Sequence, residues 1–302
     1  MRIGVAATPD VALPTLNWLL HSEHELVRVI TQPDRKSGRG LDLKQSVVAL
    51  WAKENKIEVV KPLDFDETKT AIADLDLLIT IGYGVILPEA ILDLPKFGCI
   101  NLHFSLLPKY RGAAPVQRAI ESGEIESGVT VFKLDKGMDT GPVYSQIAID
   151  IDSKWRSFEL FSELSNIGVE AVEQSLSLIT QGHLPKPQTG QHSHAGKITK
   201  EETKLDWKED PKKIINKIRA FYPAPICWTI FRGNNLKITK VGSFSNYSKL
   251  TPGQIGLHEG ECLIGVSDGA LVIEKVIPLG KREMLAVEFA RGARFGDAEF
   301  CG

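Results

Sequence analysis

The chain has 302 residues, 43% of them apolar, which is enough for one large or two ordinary domains with buried cores. Its formal net charge of -2 and its isoelectric point near 6.4 exclude the uniformly basic character of a histone-like nucleic-acid binder. Any nucleic-acid site must therefore be a local basic surface.

The first half of the chain alternates short β-branched runs with segments of helical periodicity. The strand-like runs are RIGVAA, ELVRVIT, IEVV, DLLITI, GCINLHF and GVTVFKL. Between them, residues 43–55 and 114–122 carry apolar residues at helical spacing, and residues 157–179 form a long amphipathic segment with Phe158 and Phe161 near one face. The alternation predicts an α/β fold with a Rossmann-like, doubly wound and largely parallel sheet, covered by the long helix.

The second half begins with a change of composition. Residues 182–200, GHLPKPQTGQHSHAGKITK, show no apolar period and are typical of an interdomain linker. A helix-like segment near 210–221 and the runs ICWTIF, LKITKVG, ECLIGVS and ALVIEKVI follow, separated by turn signals, and this spacing predicts a small OB-like β-barrel or half-barrel. We expect a catalytic domain at 1–184, a linker at 185–204 and a C-terminal β-barrel domain at 205–302.

Targeting and metal-binding signals are weak in this sequence. MRIGVAATPD does not have the basic and apolar regions of an export signal, and we expect a cytoplasmic protein.

The four cysteines contain no CxxC pair, so we expect reduced thiols and neither a zinc cluster nor a disulfide framework. His192 and His194 in QHSHAG have no carboxylate or thiol partner at suitable spacing, and we expect no metal. No association helix is evident, which favours a monomer.

Polar side chains occupy alternate positions where the strand CINLHF ends. Asn101 and His103 are two residues apart, so they project to the same side of the strand. In an open parallel sheet, ligands bind beyond the carboxyl ends of the strands. An amide donor beside an imidazole suits acyl transfer, because the amide can stabilise an oxyanion while the imidazole moves protons.

A carboxylate is needed to orient such an imidazole. The next strand, GVTVFKL, continues into DKGMDTGP, whose loop can bring Asp135 or Asp139 to the same edge of the sheet. Glycines near Asp139 allow the backbone to bend closely around a ligand. As isolated residues, these side chains fit a role in satisfying backbone groups at a strand end and in turns better than a catalytic role, because such triples are common by chance.

The wider context resembles a known family. NLHFSLLPKYRGAAPVQRAI followed by SGVTVFKLDKGMDTGPV is similar to the folate-dependent formyltransferases, which carry Asn-x-His-x-Ser-Leu-Leu-Pro and a downstream Asp-x-Gly-x-Asp-Thr-Gly segment. Within that superfamily, the RGAAP continuation is most similar to the branch that acts on methionyl initiator tRNA. The resemblance implies that Asn101, His103 and Asp139 are catalytic.

The resemblance also implies a formyl donor and where it binds. The stretch ITIGYGVILPEAIL matches the family segment that forms the folate pocket for 10-formyltetrahydrofolate. By the resemblance, the donor site contains Val85, Ile86, Leu87 and Asp135. A nicotinamide cofactor is not expected, because the first βα turn, AATPDVA, offers no glycine to admit a pyrophosphate.

Two basic regions are candidates for tRNA binding. The loop TQPDRKSGRGLDLKQ contains Lys36 and the GRG signature, which the resemblance places in the acceptor-stem groove with Arg39 as a contact. Leu41 and Asp42 stand where family members often have further basic residues, which predicts weaker affinity from this loop. From Lys208 to Lys249 the chain has nine Lys or Arg against two acids, and Lys212 and Lys213 are the candidates there. Composition alone favours a solvated basic loop for the first region and fits solvated surfaces equally well for the second.

Several other functions use the same residues. Formyltransferases that act on amino sugars or on other small amines share the Asn, His and Asp, but a small acceptor needs neither the GRG loop nor a basic C-terminal domain. A 10-formyltetrahydrofolate hydrolase would use water as acceptor. A non-catalytic tRNA-binding module would not need the three polar residues. The sequence therefore favours formyl transfer to methionyl-tRNA.

Overall fold

The computed structural model describes residues 1–37, 42–295 and 299–302. The chain forms two compact units. One contains residues 1–112, 126–150 and 161–194, and the other contains residues 113–125, 151–160 and 195–302.

The secondary structure alternates in the first half of the chain and is mostly strand in the second. The strands are β1 (Arg2–Ala7), β2 (Glu25–Ile30), β3 (Arg35–Ser37), β4 (Asp42–Lys44), β5 (Glu58–Val60), β6 (Leu77–Ile81), β7 (Cys99–His103), β8 (Arg111–Gly112), β9 (Glu126–Lys133), β10 (Val143–Asp150), β11 (His194–Ala195), β12 (Trp228–Phe231), β13 (Asn234–Ser245), β14 (Ile255–His258), β15 (Glu261–Val266), β16 (Gly269–Pro278) and β17 (Met284–Leu285). The α-helices are α1 (Leu13–Leu20), α2 (Val47–Glu54), α3 (Phe65–Ile72), α4 (Glu89–Leu92), α5 (Pro115–Glu121), α6 (Ser157–Thr180), α7 (Pro211–Ala220) and α8 (Ala286–Ala293). Short 3-10 helices span Asp10–Ala12 and Glu201–Thr203.

A seven-stranded sheet organises the first unit. Its strand order is β10-β9-β7-β6-β1-β2-β5, and the five strands from β7 to β5 are parallel. β9 and β10 extend the sheet in antiparallel fashion. Every residue of β6 is buried, as expected for a strand covered on both faces. The largely parallel, Rossmann-like sheet is confirmed.

The strand order places a switch point beside β1. From β1 the chain proceeds outward to β2 and β5, and it then returns to the other side of β1 to form β6 and β7. Loops leaving neighbouring strands diverge at such a point and leave a crevice at the carboxyl ends of the strands. The last residue of β7 is His103, so the predicted polar residues lie on that side of the sheet.

The long helix α6 packs on the strand that carries the site. A Cβ on Gly168 would lie 2.8 Å from Cδ2 of Leu102 on β7, so the glycine permits close contact between helix and sheet. Leu164 and Val172 are buried along the same helix. Phe158 was expected on this apolar face, but it is 54% exposed, because the buried positions Ser157, Leu160 and Leu164 follow a different face of the helix.

The second unit contains an antiparallel sheet that agrees with the predicted half-barrel. Its strand order is β12-β13-β16-β15-β14, and β17 pairs with β16. The long pair of β13 and β16 changes register at three places, including one between Val241 and Phe244. Such irregularities bend and twist a sheet, which allows one sheet to curl around its own core.

Residues 299–302 join the two edges of this half-barrel. Cys301 forms a bridge with Phe231 on β12, and Phe300 forms one with Gln254 next to β14. The backbone of Cys301 donates to Gly253 at 2.7 Å, that of Gly302 to Ile230 at 2.9 Å, and that of Ile255 to Glu299 at 2.9 Å. The segment thereby pairs backbone groups at both edges, which would otherwise be exposed.

Deleting residues 299–302 should destabilise the second unit. Three backbone hydrogen bonds at roughly 1 kcal/mol each predict a loss of about 3 kcal/mol in the free energy of unfolding. Urea unfolding followed by tryptophan fluorescence measures it, since Trp207 and Trp228 lie in this unit. Phe300→Ala is the matched control, because it keeps the backbone and removes a side chain that is 52% exposed. An unchanged urea midpoint after the deletion would contradict the bridging role.

All four cysteines are free and buried, and burial raises the pKa of each thiol to about 12. They are therefore protonated and poorly reactive. None of the helices in the described ranges is long and apolar enough to cross a bilayer.

Candidate active site

Asn101 lies on β7 with its amide oriented by the neighbouring strand. Its Nδ2 donates a hydrogen bond to Oγ1 of Thr80 on β6 at 2.7 Å, and that hydroxyl donates to the carbonyl of Ile100 at 3.2 Å. This chain of hydrogen bonds determines which end of the amide is the donor. Because an amide nitrogen carries two N–H groups, the second can donate to a developing oxyanion.

The imidazole of His103 is buried and held at one nitrogen by the backbone. Nε2 lies 2.9 Å from the carbonyl oxygen of Tyr110, so Nε2 carries a proton and donates it to that oxygen. The ring contacts Phe132 edge-on, with centroids 6.4 Å apart. Nδ1 lies 3.7 Å from Oδ2 of Asp139. Nδ1 is therefore the nitrogen that can accept a proton.

Burial lowers the pKa of His103 below its ordinary value of 6.5, while Asp139 and the Tyr110 carbonyl act in the opposite direction. The imidazole is consequently neutral at neutral pH. Once a proton reaches Nδ1, the nearby carboxylate stabilises the resulting imidazolium. The pair is suited to receiving a proton during a reaction.

The loop between β9 and β10 brings Asp139, rather than Asp135, to His103. Oδ2 of Asp139 accepts a hydrogen bond from the backbone N–H of Gly112 at 2.7 Å. Oδ1 of Asp135 accepts hydrogen bonds from the N–H of Gly137 at 3.0 Å and from the hydroxyl of Thr140 at 2.7 Å. Asp135 thus organises the loop itself, and its predicted contact with a donor remains a prediction.

The predicted donor segment follows β6, the strand next to β7. Val85 and Ile86 are 49% and 80% exposed, whereas Leu87 packs against the core. Behind them, the carbonyl oxygen of Tyr83 accepts hydrogen bonds from Thr8 at 3.1 Å and from Gln32 at 2.7 Å. These contacts hold a backbone that presents two apolar side chains to solvent beside the polar end of β7.

The predicted nucleic-acid contacts are distributed over both units. Arg39 lies outside the described residues, and Lys36 belongs to β3 in the first unit. Lys212 and Lys213 are exposed in the first turn of α7, where Asp210 caps the helix by accepting hydrogen bonds from both backbone N–H groups.

The basic excess from Lys208 to Lys249 is partly neutralised inside the second unit. Lys217 lies 3.5 Å from Glu209, and Lys240 lies 2.8 Å from Glu274. Arg232 pairs with Glu299. The guanidinium of Arg219 donates to the carbonyls of residues 152 and 155. The net positive surface is therefore smaller than the sequence count indicates.

Several polar residues around the site were not predicted from the sequence. Thr8 and Gln32 support the Tyr83 carbonyl, Gln188 contacts the Asp139 loop, and Arg111 contacts Gln188. Their partners are between 47 and 77 positions away in the chain, so no local spacing marks them. Only the fold brings them to the site.

The rings of His192 and His194 approach each other, with centroids 5.5 Å apart. Among the described residues, no group of three or more His, Cys, Asp or Glu side chains is arranged to hold a metal ion.

Two family models match the chain. The formyl transferase model matches residues 1–175, which include all three residues of the polar cluster, and the model of the formyl transferase C-terminal domain matches residues 197–294. The chain belongs to the formyl transferase family. The resemblance inferred from the two sequence motifs is therefore confirmed.

Curated relatives of similar length match the whole chain. The methionyl-tRNA formyltransferase of Thermobifida fusca is 39% identical over 308 residues, covering 100% of this chain and 99% of the relative. That of Hydrogenovibrio crunogenus is 38% identical over 299 residues, covering 96% of each. Each of these two relatives therefore covers at least 96% of the chain.

Solved structures share the fold at lower identity. HypX from Aquifex aeolicus in complex with tetrahydrofolic acid is 20% identical with a TM-score of 0.70, and the match covers 100% of this chain and 50% of HypX. The sugar 3N-formyl transferase WlaRD is 24% identical with a TM-score of 0.67, covering 93% of this chain and 99% of WlaRD. Methionyl-tRNA formyltransferase from Clostridium thermocellum is 19% identical with a TM-score of 0.56, covering 90% and 99%. At these identities the likeness concerns the fold.

Proposed function

We propose that this protein, acting as a cytoplasmic monomer, transfers a formyl group from 10-formyltetrahydrofolate to the α-amino group of methionyl initiator tRNA. The observation that carries the proposal is the cluster of Asn101, His103 and Asp139 at the carboxyl end of β7. The relatives that match the whole chain at 38–39% identity, which are named methionyl-tRNA formyltransferases, support the acceptor.

Asn101 stabilises the charge that develops on the formyl oxygen. The neutral amine attacks the formyl carbon, a C–N bond forms, and the electrons of the C=O bond move to oxygen. The second N–H of the Asn101 amide donates to this oxyanion, while the first stays on Thr80. Because the amide is already oriented, it needs no reorganisation at the moment of reaction.

His103 and Asp139 transfer the proton. The attacking amine becomes positively charged and releases a proton to Nδ1 of His103, directly or through one water molecule. The imidazolium is balanced by Asp139, whose Oδ2 lies 3.7 Å from Nδ1, and its charge adds to the stabilisation of the oxyanion. When the carbonyl re-forms, the bond from the formyl carbon to the donor nitrogen breaks. That nitrogen keeps the electron pair and takes the proton back from Nδ1.

The donor is expected to bind beside this cluster. Val85 and Ile86 expose apolar surface next to the polar strand end, which suits a flat ring system with a polar reactive group. In this proposal Val85, Ile86 and Leu87 contact the ring system, and Asp135 shapes the loop on the other side of the site.

The tRNA is expected to contact both units through basic side chains. We assign Arg39 and Lys36 to the acceptor stem, and Lys212 and Lys213 to phosphates of the same tRNA. The two lysines of α7 are exposed, which supports the assignment. Each phosphate contact that is removed should weaken tRNA binding and reduce its salt dependence.

The acceptor assay tests the function. The purified protein is incubated with 10-formyltetrahydrofolate and, in separate reactions, with methionyl initiator tRNA, methionyl elongator tRNA, uncharged tRNA, an amino-sugar nucleotide or buffer. We expect formyl-methionine only with the charged initiator, and the activity should elute at the mass of one chain, 33.3 kDa. Folate turnover in buffer would instead indicate a hydrolase, and formylation of the sugar would indicate a small-amine acceptor. Charged-tRNA binding without any turnover would indicate a binding module.

A further inference from the structure

Asp139 holds a backbone conformation that requires support. Its φ is 54°, in the left-handed region that is unfavourable for residues other than glycine. A residue in this region costs on the order of 1 kcal/mol or more and persists only where its surroundings determine it. The contacts of Asp135 with Gly137 and Thr140 span Asp139, but neither of them is made to Asp139 itself. The backbone of Asp139 is held by a different group.

Gln188 provides that contact. Its Nε2 donates hydrogen bonds to the carbonyl of Asp139 and to the carbonyl of Gly141, both at 2.9 Å. Both N–H groups of the amide are thereby used on the two carbonyls that flank Thr140. A single side chain thus fixes the backbone direction on both sides of the bend that follows Asp139.

Arg111 orients the amide of Gln188. Its guanidinium donates to Oε1 of Gln188 from Nη2 at 2.6 Å and from Nε at 3.2 Å. This fork prevents the amide from turning its oxygen toward the two loop carbonyls. The backbone N–H of Arg111 donates to the carbonyl of Ser193 at 2.9 Å, which ties β8 to the segment that carries Gln188.

β8 therefore holds Asp139 at two points. Arg111 acts on its backbone through Gln188, and the N–H of Gly112 holds its carboxylate at 2.7 Å. We propose that Arg111 and Gln188 are positioning residues that hold Asp139 in the conformation in which its carboxylate faces Nδ1 of His103. Neither residue needs to touch a substrate for this role.

The kinetic test replaces Gln188 by alanine, and this readout rests on the proposed function. We expect kcat to fall about 10- to 100-fold with little change in the KM for either substrate, because displacing a reacting group by about 1 Å costs up to roughly 100-fold. Arg111→Lys should lose less than Arg111→Ala, since the ammonium keeps one donor. Gln191→Ala is the matched control, because Gln191 is an exposed glutamine of the same segment and should behave like wild type.

A second readout does not depend on turnover. NMR titration of histidine-labelled protein measures the pKa of His103, which Asp139 raises against the effect of burial. With Asp139 released, the pKa of His103 should fall further in Gln188→Ala and in Gln188→Leu, which keeps the bulk of the side chain but has no N–H to donate to the loop carbonyls. If wild type fails to formylate methionyl-tRNA, the proposed function is wrong and the titration still tests the positioning role. An unchanged His103 pKa in a folded variant of either kind overturns the inference, whatever happens to KM.

Discussion

Asn101→Ala should lower kcat for formyl transfer by about 100-fold or more, the usual cost of removing one oxyanion donor. The physical reason is that the second Nδ2 N–H meets full negative charge only in the tetrahedral intermediate. The KM for methionyl-tRNA should change little, because the neutral formyl oxygen of the ground state gains much less from the same donor. Single-turnover formylation with excess enzyme separates the chemical step from product release and is the measurement of choice.

Asn101→Asp is a stricter test of the same role of the Asn101 amide. It keeps the size of the side chain but replaces both N–H groups by an anionic oxygen, which repels the oxyanion, so its activity should be lower than that of Asn101→Ala. Asn166→Ala, at an exposed position of α6 in the same unit, is the control and should remain within about twofold of wild type. Near-normal single-turnover rates in both Asn101 variants would remove the amide from the mechanism.

His103→Gln separates two roles of the imidazole. A glutamine amide can still donate to the Tyr110 carbonyl as Nε2 does now, but it cannot accept a proton at the position of Nδ1. If proton acceptance is the essential role, His103→Gln should be as inactive as His103→Ala. Retention of most of the activity in His103→Gln alone would show that the hydrogen bond to the backbone is what matters.

The central strands could be predicted from the sequence because burial on both faces leaves a clear pattern. RIGVAA and DLLITI are largely apolar, and they became β1 and β6 within one residue of the expected ends. The edge strand β10 was not predicted, although it contains eight residues. Its side chains alternate in burial, and the polar Gln146 interrupts the apolar run in its middle. A polar residue is needed there because Nε2 of Gln146 donates to the carbonyl of Leu107 and to the hydroxyl of Thr130.

The residues of the site also differ in whether the sequence could predict their role. Asn101 and His103 could be paired from the sequence because their alternation along one strand is local. The choice between Asp135 and Asp139 needed either the family resemblance or the fold, since both lie in one glycine-rich loop. The supporting contacts of Gly112 and Gln188 with Asp139 cross 27 and 49 positions of sequence, and no spacing rule reaches that far.

The segment at 182–200 shows why composition alone misses such contacts. It lacks an apolar period because its contribution is hydrogen bonding. Lys186 exchanges two backbone hydrogen bonds with Val143 at the start of β10, and Ser193 accepts one from Arg111. Polar, glycine-rich sequence is typical of linkers, but it is equally suited to a segment that supports a loop through its backbone and through one glutamine.

Gly141→Ala should lower kcat about as much as Asn101→Ala, but by displacing the loop that carries Asp139. A Cβ at this position would lie 1.7 Å from the carbonyl oxygen of Lys133, far inside van der Waals contact. That oxygen cannot easily yield, because Lys133 ends β9 and its own N–H donates to the carbonyl of Pro142 at 2.9 Å. The loop must therefore move away from β9 and carry Asp139 with it.

The displacement should also break the hydrogen bond from Gln188 to the carbonyl of Gly141. Asp139 would then lose both the packing of its loop against β9 and the contact with Gln188. We expect kcat to fall by about 100-fold, as for a reacting group displaced by roughly 1 Å, and the free energy of unfolding to fall by about 1–3 kcal/mol through overpacking. Urea unfolding and single-turnover formylation of the same preparation measure both.

Gly292→Ala is the matched control, because a Cβ there meets no atom within 4 Å and the residue lies in helix α8. Alanine at a helical glycine should be neutral or stabilising by up to about 1 kcal/mol. A Gly141→Ala protein that keeps its turnover would mean that the loop can move without shifting the Asp139 carboxylate. The support of Asp139 would then lie in the Gly112 contact alone, and Gln188→Ala should be equally harmless.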